Sequence, residues 1–187
     1  MRRQVAASIL AATMPDDPQR LRRLSLDELL GLMDRASATG RAGMARKARA
    51  VDVREARAGE VVVTLIAGEG KETQSHPARA GDWVVRNRNP QTGDEQYLVD
   101  AAVFRERYVL SDRQADADGW RRARPKGQLV RYWLVPPEQG EFAFEAPWGE
   151  AMIARPGDAI VQDPDNPRDT WRVAAAAFAS SYEVLSR

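Results

Sequence analysis

Residues 80–110 read "AGDWVVRNRNPQTGDEQYLVDAAVFRERYVL", and residues 156–185 read "PGDAIVQDPDNPRDTWRVAAAAFASSYEVL". Laid over one another, Gly81-Asp82 meets Gly157-Asp158 and Val84-Val85 meets Ile160-Val161. Tyr97 and Val99 then meet Trp171 and Val173, Ala101-Ala102 meet Ala175-Ala176, Phe104 meets Phe178, and Tyr108 meets Tyr182. The offset is 76 at the Gly-Asp and 74 from the aromatic onward, so two residues are lost, in the turn between. Upstream, "VVVTLI" answers "LVRYWLV" as a leading strand. Self-similarity with one small gap at a turn points to duplication of a supersecondary unit.

Each landmark has a physical task. The glycine permits the positive φ of a strand-entry turn, and the aspartate can hold that turn through backbone N–H groups just ahead. The β-branched residues after it begin a buried strand. "NRNPQTGDE" and "DPDNPRDT" are Pro/Asn/Asp-rich connections that predict a hairpin with a wide tip. "DAAVFRERY" and "AAAAFASSY" predict one or two helical turns, with Asp100 as an N-cap in the first copy. There Phe and Tyr, four apart, share a face and seal the end of a small barrel.

Outward from the repeat, residues 1–57 read as a helical N-terminal segment. "SLDELLGLMDRASA" places Leu26, Leu29, Leu30 and Met33 on one apolar stripe. Ser25 with Glu28 forms a capping box, and Gly40 is a stop signal. "RAGMARKARAVDVREAR" continues as a second helix or passes through a basic turn. The first 17 residues imitate a secretory signal but are short and weakly apolar, and a helix is the better reading. This segment holds 12 Lys and Arg against 7 Asp and Glu, a surplus read as a solvated face. From Gly59 the texture is β. The expected organisation is a helical segment (1–57), a first β-rich unit (58–110), a polar linker (111–126) and a second β-rich unit (127–187). The fold class is α+β, with two partly open, barrel-like units each closed by a short helix.

Composition bounds the chemistry. Zero cysteines exclude disulfides and thiolate sites and fit a reducing cytoplasm. The formal charge of +1 provides no global field toward nucleic acid or anionic membrane, and no apolar run is long enough for a membrane helix. His76 is the lone histidine, in a loop sequence, so neither a metal centre nor a Ser-His-Asp site is expected. "GEGKET" lacks the spacing of a phosphate loop and reads as a hairpin turn. Asp82 and Asp158 recur at matched positions, where turn-holding outweighs acid–base work. Glu141, Glu145 and Glu150 read as a solvated face. No cofactor is expected.

The binding candidates lie in "WRRARPKGQLVRYW": Arg121, Arg122, Arg124, Lys126 and Arg131 set among Trp120, Tyr132 and Trp133. Cations interleaved with aromatics suit single-stranded nucleic acid or an anionic ligand, through phosphate contact and stacking. The plainer reading is a basic linker entering a core strand. Trp83, Arg105 and Arg107 join the candidates because the second copy has Ala159, Ala179 and Ser181 there.

The "GDWVV…EQYLV…VFRERY" and "PGDAIV…TWRV…AFASSY" segments resemble small phage- and prophage-type proteins bearing a Pro-Gly-Asp-aromatic-Ile-Val module that closes on Phe-x-x-x-Tyr. Ala80 and Ala159 depart from that pattern. The resemblance implies a fold and a mobile-element setting, with no catalytic residues to carry over. The expected function is a non-enzymatic binding or adaptor protein acting on a protein partner. The alternatives are nucleic-acid binding through residues 120–133, and an enzyme or sensor for a small anionic ligand held between the two units.

Overall fold

The computed structural model describes residues 21–186; the helix expected before residue 21 lies outside them. In chain order the elements are β1 (Arg22–Arg23), α1 (Leu26–Ala38), β2 (Ala42–Lys47), β3 (Val51–Glu55), β4 (Val63–Ile66), β5 (Gly70–Gln74), β6 (Trp83–Asn87), β7 (Gln96–Val99), α2 (Ala101–Arg107) and β8 (Tyr108–Leu110). They continue as β9 (Arg121–Pro125), β10 (Leu129–Leu134), β11 (Phe142–Glu145), β12 (Ala151–Ala154), β13 (Ala159–Gln162), β14 (Thr170–Val173), α3 (Ala175–Ser181) and β15 (Tyr182–Ser186). The fold is α+β and mostly sheet. No helix among the described residues is long and apolar enough to cross a membrane.

Two five-stranded antiparallel sheets carry the architecture, ordered β7-β6-β3-β9-β8 and β14-β13-β10-β2-β15. Their plans match place for place: β3 with β10, β6 with β13, β7 with β14, α2 with α3, β8 with β15. The last place is β9 in the first sheet and β2 in the second. Register fixes the match, since Val51 pairs with Ala123 as Val130 pairs with Ala45, and Tyr108 pairs with Pro125 as Tyr182 pairs with Lys47. The first unit is therefore continuous (51–125) and sits between β2 and the remainder of the second. The strand that follows β8 covalently in one unit precedes the whole of the other.

This corrects the expected boundaries. Residues 42–55 are not helical: α1 ends at Ala38 and the chain enters two strands belonging to different sheets. Gly43 and Ala45 in β2, and Val51 and Val53 in β3, give a period of two that Arg and Lys side chains disguise; Ala45 and Val53 are fully buried. Residues 111–126 are not only a polar linker, because 121–125 form β9, an inner strand of the first sheet between β3 and β8. Neither sheet closes into a barrel: β7, β8, β14 and β15 are edges within their own sheets.

The Gly-Asp turns hold as expected from their chemistry. Asp82 Oδ2 accepts from Arg79 N at 2.8 Å and Oδ1 from Ala101 N at 3.1 Å; Asp158 does the same with Arg155 N and Ala175 N at 2.8 and 3.1 Å. Gly81 and Gly157 supply φ of 88° and 93°. One carboxylate thus ties a strand entrance to the first N–H of the closing helix. Asp100 occupies the N-cap position, but its side chain makes no cap bond; Asp82 has taken that task, so Ala174 serves equally well in the second unit.

Packing distinguishes the sheets' faces. Toward the closing helices lie Val51, Val53, Val85, Ala123, Phe104 and Tyr108 in one unit, and Ala45, Val130, Tyr132, Val161 and Phe178 in the other. On its opposite face the second sheet presents Trp133 and Ile160 to α1 (Leu29, Met33, Ala36) and to Phe142 and Phe144 of the β11–β12 hairpin. The cap of α1 is in place: Ser25 Oγ accepts from Glu28 N at 3.2 Å, and Ser25 N donates to Glu28 Oε2 at 2.8 Å.

Candidate functional site

A cleft of about 330 Å³ lies between the units. Its walls come from β7 and α2 on one side, β14 and α3 on the other, with the β4–β5 hairpin and the end of β2. The two units reach into it reciprocally. Lys47, the last residue of β2 in the second sheet, donates to Tyr97 OH at 2.6 Å and Asn87 Oδ1 at 3.0 Å in the first. Its ammonium lies 5.1 and 5.9 Å from the ring centroids of Tyr97 and Tyr108. In return Arg107, the last residue of α2, donates to Asp169 Oδ2 at 2.6 Å, its guanidinium 5.1 Å from the Trp171 ring centroid. Tyr97 and Trp171 occupy the same place in their sheets, as do Glu95 and Asp169, so each unit sends one cation onto the other's aromatic.

The acid is met differently at the two ends. Arg107 binds Asp169 directly, whereas Asn87 stands between Lys47 and Glu95, its Nδ2 donating to Glu95 Oε1 at 2.6 Å. Thr92 Oγ1 donates to the other oxygen of Glu95. Tyr97 and Tyr108 share a hydroxyl–hydroxyl hydrogen bond of 3.1 Å. Burial, and then the neighbouring Tyr108, push the Tyr97 phenol well above its usual range; burial likewise raises Tyr182. Both remain neutral phenols at physiological pH, each able to donate one proton and accept another.

A second cluster fixes the hairpin to the second unit. Arg172 is 3% exposed and donates to Asp158 Oδ2 at 2.8 Å, Glu72 Oε1 at 2.5 Å and Glu69 Oε2 at 2.6 Å. Burial alone would lower its pKa, but hydrogen bonding to Asp158 and the charge of Glu72 hold it above the ordinary guanidinium range. Glu72 is pushed up, first by burial, which Arg172 opposes, and further by Glu69 and Glu95. Glu69 is shared with Arg155, whose Nη1 lies 2.7 Å from the same carboxylate oxygen. Around the cleft as a whole, Glu72, Glu95, Asp100, Glu150, Asp163 and Asp169 outnumber Lys47, Arg107 and Arg172.

Of the binding residues expected from sequence, only Arg107 reaches the cleft. Trp83 stacks on Phe104 at 4.3 Å, with the Arg121 guanidinium 5.1 Å from its ring. Arg105 is exposed, its Nε donating to Ala101 O at 3.3 Å. The run 120–133 does not assemble as one groove, because strand alternation sends neighbours to opposite faces. Tyr132 and Trp133 are buried on opposite faces of the second sheet. Arg131 pairs with Asp34 at 3.1 Å and Arg121 with Glu55 at 3.5 Å, while Lys126 Nζ donates to Arg105 O at 2.6 Å. Arg122 and Arg124 are exposed. Trp120 instead lies over Arg86 and Arg54, at 4.1 and 5.2 Å, on the outer face of the first sheet.

Sequence reasoning missed Lys47, Asn87 and Arg172. Lys47 was hidden in a stretch read as helix or turn. Arg172 carried a legible signal: it stands where the matching segment of the first unit has the apolar Leu98, and a charge at a place that is apolar in the similar segment marks a departure from plain packing. His76 sits in a loop at the cleft, its Nε2 3.3 Å from Asp100 Oδ1. No family model matches the chain, nor does any curated protein or solved structure.

Proposed function

We propose that the protein is a non-catalytic binding protein whose small-molecule ligand enters the cleft between the two units. The carrying observation is the reciprocal reach of Lys47 and Arg107, since a cleft lined this way exists only when both units are assembled. Its volume of about 330 Å³ falls at the small end of ligand pockets, which span about 300–1,000 Å³. Apolar walls with a few convergent polar groups are the usual composition of such sites. We further infer that the two units descend from one duplicated module, supported by their common strand plan and paired Asp82 and Asp158 turns. A mobile-element setting rests on the Gly-Asp and Phe-x-x-x-Tyr segments, and a cytoplasmic one on the lack of cysteine.

The test is a ligand screen read by two-dimensional NMR. A ligand of this site shifts Tyr97, Tyr108, Trp171 and Tyr182 together, and Val103→Trp, which narrows the cleft from α2, abolishes the shifts. Ligands that bind Val103→Trp as tightly as the native chain would place binding elsewhere.

A second reading, a protein partner, is favoured by one observation. Val63 and Leu65 on β4 are 41% and 58% exposed and project to one side, and Val61 just before the strand is 42% exposed. Replacing Val63 and Leu65 by Thr and Gln would abolish capture of such a partner while leaving the cleft unaltered; unchanged capture would remove β4 from this reading.

A further inference from the structure

Lys47 is exceptional among the described cations. Every other Lys or Arg at least half-buried has a carboxylate within ion-pair distance: Arg54, Arg86, Arg107, Arg121, Arg131, Arg155 and Arg172. Lys47 has none; its described acceptors are a neutral amide and a neutral phenol. An ammonium carries three N–H groups, and these acceptors occupy two. Taking such a cation out of water is unfavourable unless an opposite charge compensates it. The neighbouring Glu95 is held off by the Asn87 amide, which uses its own N–H on that carboxylate. The third N–H and the uncompensated charge therefore belong to a residue at the wall of the cleft.

We propose, resting on the cleft as the binding site, that its ligand is a small monocarboxylate. The carboxylate takes the free N–H of Lys47, and the apolar body lies between the Tyr97 and Trp171 sides of the cleft. Two observations set the class. The single unpaired cation calls for one negative charge, since Arg107 and Arg172 are already bound to acids. The carboxylates elsewhere on the lining repel a dianion, so phosphate monoesters and nucleotides are disfavoured. The apolar residues beside the charged end, Val99, Val103 and Val173 among them, suit a hydrocarbon or aromatic body.

Isothermal titration of the full chain with hexanoate and phenylacetate, their amides hexanamide and phenylacetamide, and glucose 6-phosphate tests the class. The acids are expected to bind at least tenfold more tightly than the amides and than glucose 6-phosphate. Lys47→Met should erase the preference for acid over amide, and Lys47→Arg should restore most of it. Amides that bind as well as acids, tighter binding of glucose 6-phosphate, or a folded Lys47→Met that keeps the preference would overturn the monocarboxylate class while leaving the cleft as a site. Should Lys47→Met fail to fold, the acid-to-amide ratio of the native chain and of Lys47→Arg decides. If none of the five probes produces heat or shifts Tyr97, Tyr108 or Trp171, the cleft reading itself is overturned.

Discussion

The two units answer the same structural question in opposite ways on their outer faces. In the second, Trp133 pairs in register with Ile160, and its ring lies 6.4 Å from that of Phe142, under α1. In the first, Arg54 pairs with Val84 at the corresponding place, and Glu60 stands where Phe142 would be. There the aromatic pair is replaced by an ion pair of 2.5 Å, with Trp120 laid over the guanidinium. Chain order explains the choice. Helix α1 is joined to β2, and β2 belongs to the second sheet, so only that sheet receives a helical cover. The first sheet's outer face meets water and is built from Arg54, Arg86, Asp52 and Glu60. The same backbone plan thus tolerates an apolar or a charged face, and what covers the face decides which.

Four tests probe this contrast between the units. Phe142→Ala should destabilise by about 3–5 kcal/mol, as truncation of a fully buried aromatic does. Glu60→Ala at the matching place should cost about 1 kcal/mol, so chemical denaturation of both variants measures the asymmetry directly. Equal losses would mean the faces are not differently covered.

Arg172→Met should cost about 3–5 kcal/mol, because Asp158 and Glu72 then lose their cation and Glu69 keeps only Arg155. Leu98→Met, its counterpart in the first unit, should be nearly neutral. Adding Glu72→Gln to Arg172→Met should return part of the loss, and thermal unfolding of the single and double variants would show it.

Acid titration sharpens the contrast further. The Arg54 hydrogen bond holds Glu60 down to about 2, from an ordinary 4.5. A lowered folded-state pKa gives stability that is complete above 4.5 and is lost as pH falls through about 2. Glu72 is shifted the other way, so its contribution is present at low pH and fades as pH rises through its folded value. Denaturation midpoints should therefore fall more steeply between pH 4.5 and 2 in the native chain than in Glu60→Gln. Identical slopes would deny that the ion pair holds the first unit's outer face. Ser25→Ala, which removes the cap of α1, should cost about 1 kcal/mol and loosen only the second unit's cover. Hydrogen exchange would register it as faster exchange along α1 with β6 and β7 unchanged.

Much of this was legible in the sequence, for reasons tied to local chemistry. Gly-Asp turns, Pro/Asn-rich hairpin tips and the Ser25–Glu28 cap act within a few residues, so their residues announce them. What was not legible depends on partners far along the chain. Strand β2 reads as a second helix or a basic turn because Arg46 faces solvent and Lys47 faces a cleft that the linear chain does not display; only the small Ala45 and Gly43 mark its buried side. Gly43 is needed because a Cβ there would lie 2.1 Å from the Ser186 carbonyl oxygen, a residue at the opposite end of the chain. The aromatic-basic run misled for the converse reason: adjacency in sequence became opposition across a strand. A site between the units and Arg107 both stood among the sequence alternatives, but the lining of the cleft was not legible, because Lys47 acquires meaning only against Tyr97 and Asn87, which are distant in the chain.

The cleft exists only if a strand from the second unit carries its last side chain onto the tyrosines of the first. Nuclear Overhauser contacts between the Lys47 methylene protons and the ring protons of Tyr97 and Tyr108 report that arrangement directly. Cross-peaks to both rings are expected, weaker to Tyr108 than to Tyr97, since the ammonium lies 5.1 Å from the Tyr97 ring centroid and 5.9 Å from that of Tyr108. With Lys47 assigned, cross-peaks to neither ring would mean that β2 does not complete the second sheet as described, and that the cleft is not built as proposed.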